Sequence, residues 1–446
     1  MIRFDISRKL DAREKIKIFG PTVLVLIFGF ILAYQFVAPA PPRSLTIGTG
    51  SPEGAYFEYA KSYQKLLAED GVELKLRNTA GSAENLNLLE TATGGVDIAF
   101  VQSGLKHLSK TGNLKALGSL FFEPLWIFHQ AGIELKRLSD LKGLRIAVGE
   151  EGSGTKILAT QLLDLNGVSS ENARLLSVGS QKAVDMLLKG LLDVAIFVST
   201  HRASYVLQLL PSRSVKLIGL ERAEAYALRY HYLYVLKLPE GVLDFEANIP
   251  AHDLTLVAPT TQLVARSDLH PALIDLLLQA AKKIHHRGGG FEREGAFPSP
   301  KYLDFDLSED AERFYQHGSP FLQRYLPFWV ATFLTRMKIM LVPLIVLLFP
   351  FFKIMPMAYR WRMRSKIYRW YSKLEAVDPK INKDNLPEHV DDFISELDLI
   401  EEQVSNISVP LPYSEELYAL RLHIGMLRNE LFKAKEANHR NLKLQP

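Results

Sequence analysis

The stretch LTIGTGSPEGAYFEYAKSYQKLLAEDGVELKLRNTAGSAENLNLLETATGGVDIAFV, residues 45–101, carries the pattern that decides the fold. Leu45–Gly48 reads as a strand that runs into a glycine loop; Gly54–Glu69 has a helical period, Val72–Asn78 is again strand-like, Ala83–Thr91 helical and Val96–Val101 a strand. Strands alternating with longer helices predict a parallel sheet with helices on its faces. The same order then returns. Leu144–Val148 is a strand, Gly149–Thr155 a glycine loop, Lys156–Asn166 a helix, Ala173–Val178 a strand, Gln181–Lys189 a helix and Asp193–Val198 a strand.

The copies also match at their loops. Thr79-Ala80-Gly81-Ser82 answers Ser177-Val178-Gly179-Ser180, and Val96-Asp97-Ile98-Ala99-Phe100 answers Leu192-Asp193-Val194-Ala195-Ile196. An offset of roughly one hundred residues is too long for a solenoid repeat and predicts a second lobe. Each Gly-Ser pair sits where a strand ends and a helix begins, so backbone N–H groups and a hydroxyl converge on one edge of each sheet. Two such edges facing one another make a ligand cleft, and helix N-termini there favour anionic groups. Leu254–Ala265, read as one long strand, and the helix His270–Ile284 cross back to complete the first lobe. The expected α/β domain covers 43–325, with lobe 1 at 44–129 and 256–325 and lobe 2 at 130–255.

With 446 residues the chain exceeds one ordinary core. A formal charge of +4 is too small to imply nucleic-acid binding as a whole-chain property. The absence of cysteine excludes disulfides, thiolate metal sites, a catalytic thiol and a lipidated amino-terminal cysteine, so an anchor has to be a hydrophobic segment. Ile18 to Pro42 is uncharged and long enough to span a bilayer. Ala38-Pro39-Ala40 resembles a signal-peptide cleavage site, but the apolar run is longer than a signal core. A second apolar segment, Ile339 to Phe352, is shorter, and a helix lying in the membrane interface competes with a span there. Arg360, Arg362, Arg364, Lys366 and Arg369 follow it, while Arg3, Arg8, Lys9, Arg13, Lys15 and Lys17 precede the first. The positive-inside rule then predicts a cytoplasmic 1–17, spans at 18–40 and 337–359, a cytoplasmic tail at 360–446 and an extracytoplasmic main domain.

Three motifs together, Ile47-Gly48-Thr49-Gly50-Ser51-Pro52-Glu53-Gly54-Ala55-Tyr56, Thr79-Ala80-Gly81-Ser82-Ala83-Glu84-Asn85-Leu86 and Val96-Asp97-Ile98-Ala99-Phe100-Val101-Gln102-Ser103, resemble the TAXI family of solute-binding proteins, the receptors of tripartite ATP-independent periplasmic (TRAP) transporters. The resemblance covers about Leu45 to Pro320. It implies a type II periplasmic-binding-protein fold, hinge closure on a small organic anion, permease partners, no cofactor and no enzymatic activity. Carried onto matching positions, it implies that Thr49, Ser51, Tyr56, Ser82, Asn85, Gln102, Ser103, Ser153, Gly154 and Thr155 line the cleft. The chain departs from the family in its tethers and tail, in Glu150-Glu151 of the second-lobe loop, whose charges oppose an anion, and in the lack of a matching arginine clamp.

Sharper readings are weaker. Gly149 to Lys156 (GEEGSGTK) approaches a phosphate-binding loop, but Thr155-Lys156 reverses the Lys-Ser/Thr order that nucleotide chemistry needs. The Gly-Ser loops also have a bland reading as turns and helix caps, which their paired recurrence weakens. His285-His286 lacks the i, i+4 spacing of a metal pair. No Ser-His-Asp constellation can be chosen without geometry. Trp126 suits a cleft wall or a buried hinge equally. In the tail, Arg360–Leu374, Val390–Ile407 and Ser414–Lys435 carry apolar stripes suited to a helical hairpin, which either docks a permease or cytoplasmic partner, as a transporter receptor or a sensor would require, or caps the second hydrophobic segment. A structural protein with a vestigial cleft is the remaining alternative.

Overall fold

The computed structural model of the protein describes residues 39–91, 95–381, 386–407, 409 and 411–442, together with residues 20, 24, 27–32, 34 and 35. Two compact units emerge. One is Pro39–Thr335; the other takes the described residues on either side of it.

In the first unit β1 (Ser44–Gly48) leads through a glycine loop into α1 (Ala55–Glu69), β2 (Glu73–Arg77), α2 (Ser82–Glu90) and β3 (Ile98–Gln102), followed by β4 (Leu114–Phe122). The helix α1 forms because Tyr56, Ala60, Tyr63 and Leu67 recur at helical spacing, and all four are buried against the sheet. Each fully buried side chain of this size stabilises by roughly 2 kcal/mol. The chain then crosses to β5 (Leu125–Gln130), β6 (Arg145–Ala147), α3 (Gly154–Leu165), β7 (Arg174–Leu176), α4 (Ser180–Leu188), β8 (Val194–Val198), α5 (Ser204–Leu209) and β9 (Val215–Leu217). After α6 (Ala223–Arg229), the hairpin of β10 (Tyr234–Leu238) and β11 (Leu254–Ala258) precedes β12 (Thr260–Arg266), α7 (Pro271–His285), α8 (Glu309–His317) and α9 (Phe321–Tyr325).

The two five-stranded sheets have one design. Their orders are β2-β1-β3-β12-β4 and β7-β6-β8-β5-β9. The first three strands of each are mutually parallel, and the fourth place is held by an antiparallel strand arriving from the other lobe. Such an exchange of strands between two α/β lobes is the type II periplasmic-binding-protein arrangement. The third-strand aspartates serve both lobes alike: Asp97 accepts from Thr46 N at 2.8 Å, and Asp193 accepts from Arg145 N at 2.8 Å. The repeated Asp is therefore a brace between neighbouring strands.

The expected single strand Leu254–Ala265 is two strands. Pro259 has no N–H to give a ladder, and the chain changes sheets there, with β11 in the hairpin and β12 in lobe 1. The other crossing, at Glu123-Pro124, lies alongside, and Glu123 N donates to Pro259 O at 2.9 Å. These paired crossings are the hinge. Trp126 is fully buried beside them, with Nε1 donating to Ser199 O at 2.9 Å.

The second unit is helical. In it, α10 (Phe328–Ile381), which begins in the first unit, runs through both the second apolar segment and the expected helix Arg360–Leu374, and α11 (Leu386–Ser405) pairs with α12 (Ser414–Leu442). Met363, Ile367, Leu397, Val404, Leu420, Ile424 and Leu431 form its core. Arg428 is paired with Glu401 at 2.5 Å and also with Asp398. Among the described residues no helix is long and apolar enough to cross a membrane. In the expected span at 18–40, residues 18, 19, 21–23, 25, 26, 33 and 36–38 lie outside the described residues; that at 337–359 falls on α10, where the side chains of 339–343, 347, 350 and 351 lie outside them.

Candidate functional site

Between the lobes of the first unit lies a cavity of about 210 Å³. Lobe 1 contributes the β1–α1 loop, the start of α2 and Gln102; lobe 2 contributes residues of Gly149–Thr155, the start of α4, and Val198, Ser199 and Tyr205; Glu123 comes from the hinge.

Seven of the ten residues singled out from the sequence, Ser51, Tyr56, Ser82, Gln102, Ser153, Gly154 and Thr155, lie on its wall. The other three hold the wall in place. Asn85 is fully buried, donating its amide to Thr49 O at 2.6 Å and Phe100 O at 2.9 Å and accepting from Thr79 Oγ1 at 2.7 Å. Thr49 turns its hydroxyl to Arg77 O at 3.0 Å. Ser103 accepts from Thr260 N at 2.9 Å and donates to Tyr232 O at 3.2 Å, which ties the hinge. Their hydroxyls and amide satisfy buried backbone groups, which polar side chains at strand ends commonly do; the expectation that they line the cleft is corrected accordingly.

A buried network forms the floor. Tyr56 Oη donates to Glu123 Oε2 at 2.8 Å and lies 3.1 Å from Ser82 Oγ, which accepts from Gln102 N at 3.0 Å. Glu123 also bonds the Thr261 hydroxyl. Only 3% of Glu123 is exposed, and burial pushes its carboxyl up to about 7. Tyr205, bonded to Ser199 and Ser180, is pushed up to about 12 by the same cause. Sequence reasoning passed over Glu123, Ser199 and Tyr205. The proline bend after Glu123 was the available signal, since a carboxylate in an otherwise apolar strand-like run needs a partner.

The lobes touch across the cavity. Gly152 O accepts from Ala83 N and Glu84 N, both at 3.1 Å, so a lobe-2 carbonyl caps the first turn of α2 in lobe 1. Gly152 holds φ +82°, a conformation that a side chain would strain. Gly154 has no room for one: a Cβ there would stand 2.5 Å from Gln102 Oε1. In lobe 2, Ser153 caps α3, accepting from Lys156 N at 3.1 Å, and Thr155 Oγ1 accepts from Val198 N at 3.2 Å. Glu150 lines the cavity, whereas Glu151 is paired with Lys156. Arg77 is not on the wall. His285 sits away from the cleft, packed on Tyr59 and Phe121, with burial pushing its ring down to about 3.

A family model described as NMT1-like matches residues 47–282, more than half of the chain. The chain belongs to the NMT1-like family. Similar solved structures include a protein from Bordetella bronchiseptica RB50, 16% identical over 62% of this chain and 98% of that one with a TM-score of 0.40. An ancestral arginine-binding protein bound to arginine is 16% identical over 55% and 93%, TM-score 0.37. The periplasmic aliphatic sulphonate binding protein from Escherichia coli is 16% identical over 54% and 69%, TM-score 0.33. Likenesses at these scores are too distant to carry an argument, and for the NMT1-like protein the strand order carries the fold.

Proposed function

We propose that the protein is a membrane-anchored receptor that captures a small organic solute by closing its two lobes outside the cytoplasmic membrane and passes it to a TRAP-type transporter. The observation that supports this most is the pairing of the lobes' edges around one polar cavity, with Gly152 O on the start of α2 and Gly154 against Gln102. Hinge closure needs such matched edges and two neighbouring crossings, and both are present. The basic clusters before residue 18 and after residue 359 support the anchor and leave the α11–α12 pair in the cytoplasm. An organic anion is the solute that the family resemblance implies, and an anchored receptor has a permease or a cytoplasmic protein as its partner.

Two measurements test this. A thermal-shift screen of the full-length protein in detergent, against amino acids, carboxylates, sulphonates and amines, is expected to find a stabilising solute; at 100 times its Kd a solute adds about 2.7 kcal/mol. A screen without any shift removes the receptor reading. Since the chain has no cysteine, Ser170→Cys and Ser395→Cys give clean labels. A membrane-impermeant maleimide is expected to reach the first in intact cells and the second only after lysis, and equal labelling of both sinks the anchored topology.

A further inference from the structure

We propose that the solute is anchored through a cationic nitrogen, an ammonium or amidinium group, received by the carboxylate of Glu123 at the floor of the cleft. This rests on the receptor reading above and names the solute class.

The charges around the cavity are the first argument. Glu123 lies on its floor and Glu53 and Glu150 on its rim, against one cation, the exposed Lys182; among the described residues no arginine or histidine lines it. A lone carboxylate or sulphonate entering this space meets acceptors and like charge. The second argument is an accounting of the N–H groups that would have to bind an anion. At the start of α2, Ala80 N donates to Glu84 Oε2 at 2.7 Å, Gly81 N to Thr79 Oγ1 at 3.2 Å, and Ala83 N and Glu84 N to Gly152 O. At the start of α3, Lys156 N is taken by Ser153 Oγ. These N–H groups of α2 and α3 are thus filled by the protein's own oxygens.

The third argument is Glu123 itself. A carboxylate accepts about four hydrogen bonds, and two hydroxyls, of Tyr56 and Thr261, bond this one. Its remaining capacity belongs to the cavity that it lines. Burying such a charge without a cation costs several kcal/mol, and a well-placed cation offsets that cost. Tyr56 and Tyr205 flank the same cavity with aromatic rings, which suit a cation. The titratable groups acting with Glu123 are Tyr56 and Tyr59 of α1 and Tyr205 of α5, all held up by burial, with Glu53, Glu150 and Lys182 on the rim. Burial holds the Glu123 carboxyl at about 7, and a cation displaces its proton on binding.

The test uses the full-length protein in detergent with ethanolamine, putrescine and agmatine as cationic probes, succinate and methanesulphonate as anions, and acetamide as a neutral control. The expected result is a thermal shift from at least one cationic probe and none from the anions. Its affinity is expected to fall about tenfold per pH unit below 7 as Glu123 takes up a proton. Glu123→Gln is expected to weaken it about 100-fold while melting, without probe, at or above the native temperature. Should that variant fail to fold, the pH slope of the native protein decides alone, and a flat slope overturns the proposal. Stabilisation by succinate or methanesulphonate that survives Glu123→Gln overturns it too and leaves the receptor reading standing, whereas silence from every probe overturns both.

Discussion

The corresponding edges of the two lobes carry the same Gly-Ser signature and are finished differently. In lobe 1 the edge is sealed: Ser82 is 2% exposed, bonded to Tyr56 and Gln102, and Asn85 ties the end of β1 to β3 behind it through the carbonyls of Gly48, Thr49 and Phe100. In lobe 2, Ser180 is half-buried beside the cavity, and the position matching Asn85 is Ala183, packed in an apolar cluster. One edge is a preorganised floor built on buried hydrogen bonds; the other is a lighter wall that rests on apolar packing. A shared turn motif thus specifies where an edge lies, and the residues behind it decide how rigid it is.

The largest test of that contrast is Asn85→Ala, expected to cost about 4 kcal/mol in chemical denaturation because three carbonyls and the Thr79 hydroxyl each lose a hydrogen bond to a buried side chain that nothing replaces. A loss under 1 kcal/mol would mean that the sealed edge does not depend on its clamp.

The buried titratable groups of the floor and lobe 1 come next. Glu123 has a folded value raised to about 7, so it favours folding at low pH and that contribution is lost as pH rises from about 4.5 to 7, at about 1.4 kcal/mol per pH unit. His285, pushed down to about 3, does the reverse: its contribution is complete above about 6.5 and is lost as pH falls below that. The two oppose each other between about pH 4.5 and 6.5. Relative to the native protein, Glu123→Gln is expected to gain on the order of 3 kcal/mol as pH rises from 4.5 to 7. His285→Phe is expected to gain as pH falls from 6.5, and unfolding curves at three pH values check both signs.

Closure is sharpened by Gly154→Ala, whose new methyl group meets Gln102. It is expected to weaken solute binding about tenfold, or 1.4 kcal/mol, with a smaller change in the melting temperature of the unliganded protein. Unchanged affinity would place the closing contact elsewhere. The smallest effect is expected from Ala183→Ser, under about 1 kcal/mol if its hydroxyl bonds a backbone carbonyl within its own helix. A loss as large as that of Asn85→Ala would erase the distinction between the two edges.

Much of the fold was legible because its signals are local. Strand and helix periods, glycine at strand-to-helix turns and the matching runs Val96-Asp97-Ile98-Ala99 and Leu192-Asp193-Val194-Ala195 depend on neighbours a few residues away. The misreading of Leu254–Ala265 has a local cause too: β-rich sequence flows through Pro259, and only the exchange of sheets divides it. The site was legible in its loops and illegible in its supports. Thr49, Asn85 and Ser103 share the polar chemistry of wall residues, and nothing in a linear pattern says which buried carbonyl a hydroxyl or amide will meet.

The amino-acid sequence by itself determined the duplicated α/β alternation, the places where glycine and serine end the strands, the apolar stripes of the tail and the absence of thiol chemistry. Tertiary structure alone decided that Glu123 stands at the cavity floor, that Gly152 O fills the start of α2 and that Asn85 faces inward. The physical reason is one of range. Periodicity and turn preference are properties of adjacent residues, whereas desolvation, hydrogen-bond satisfaction and a shifted pKa depend on groups brought together from distant parts of the chain.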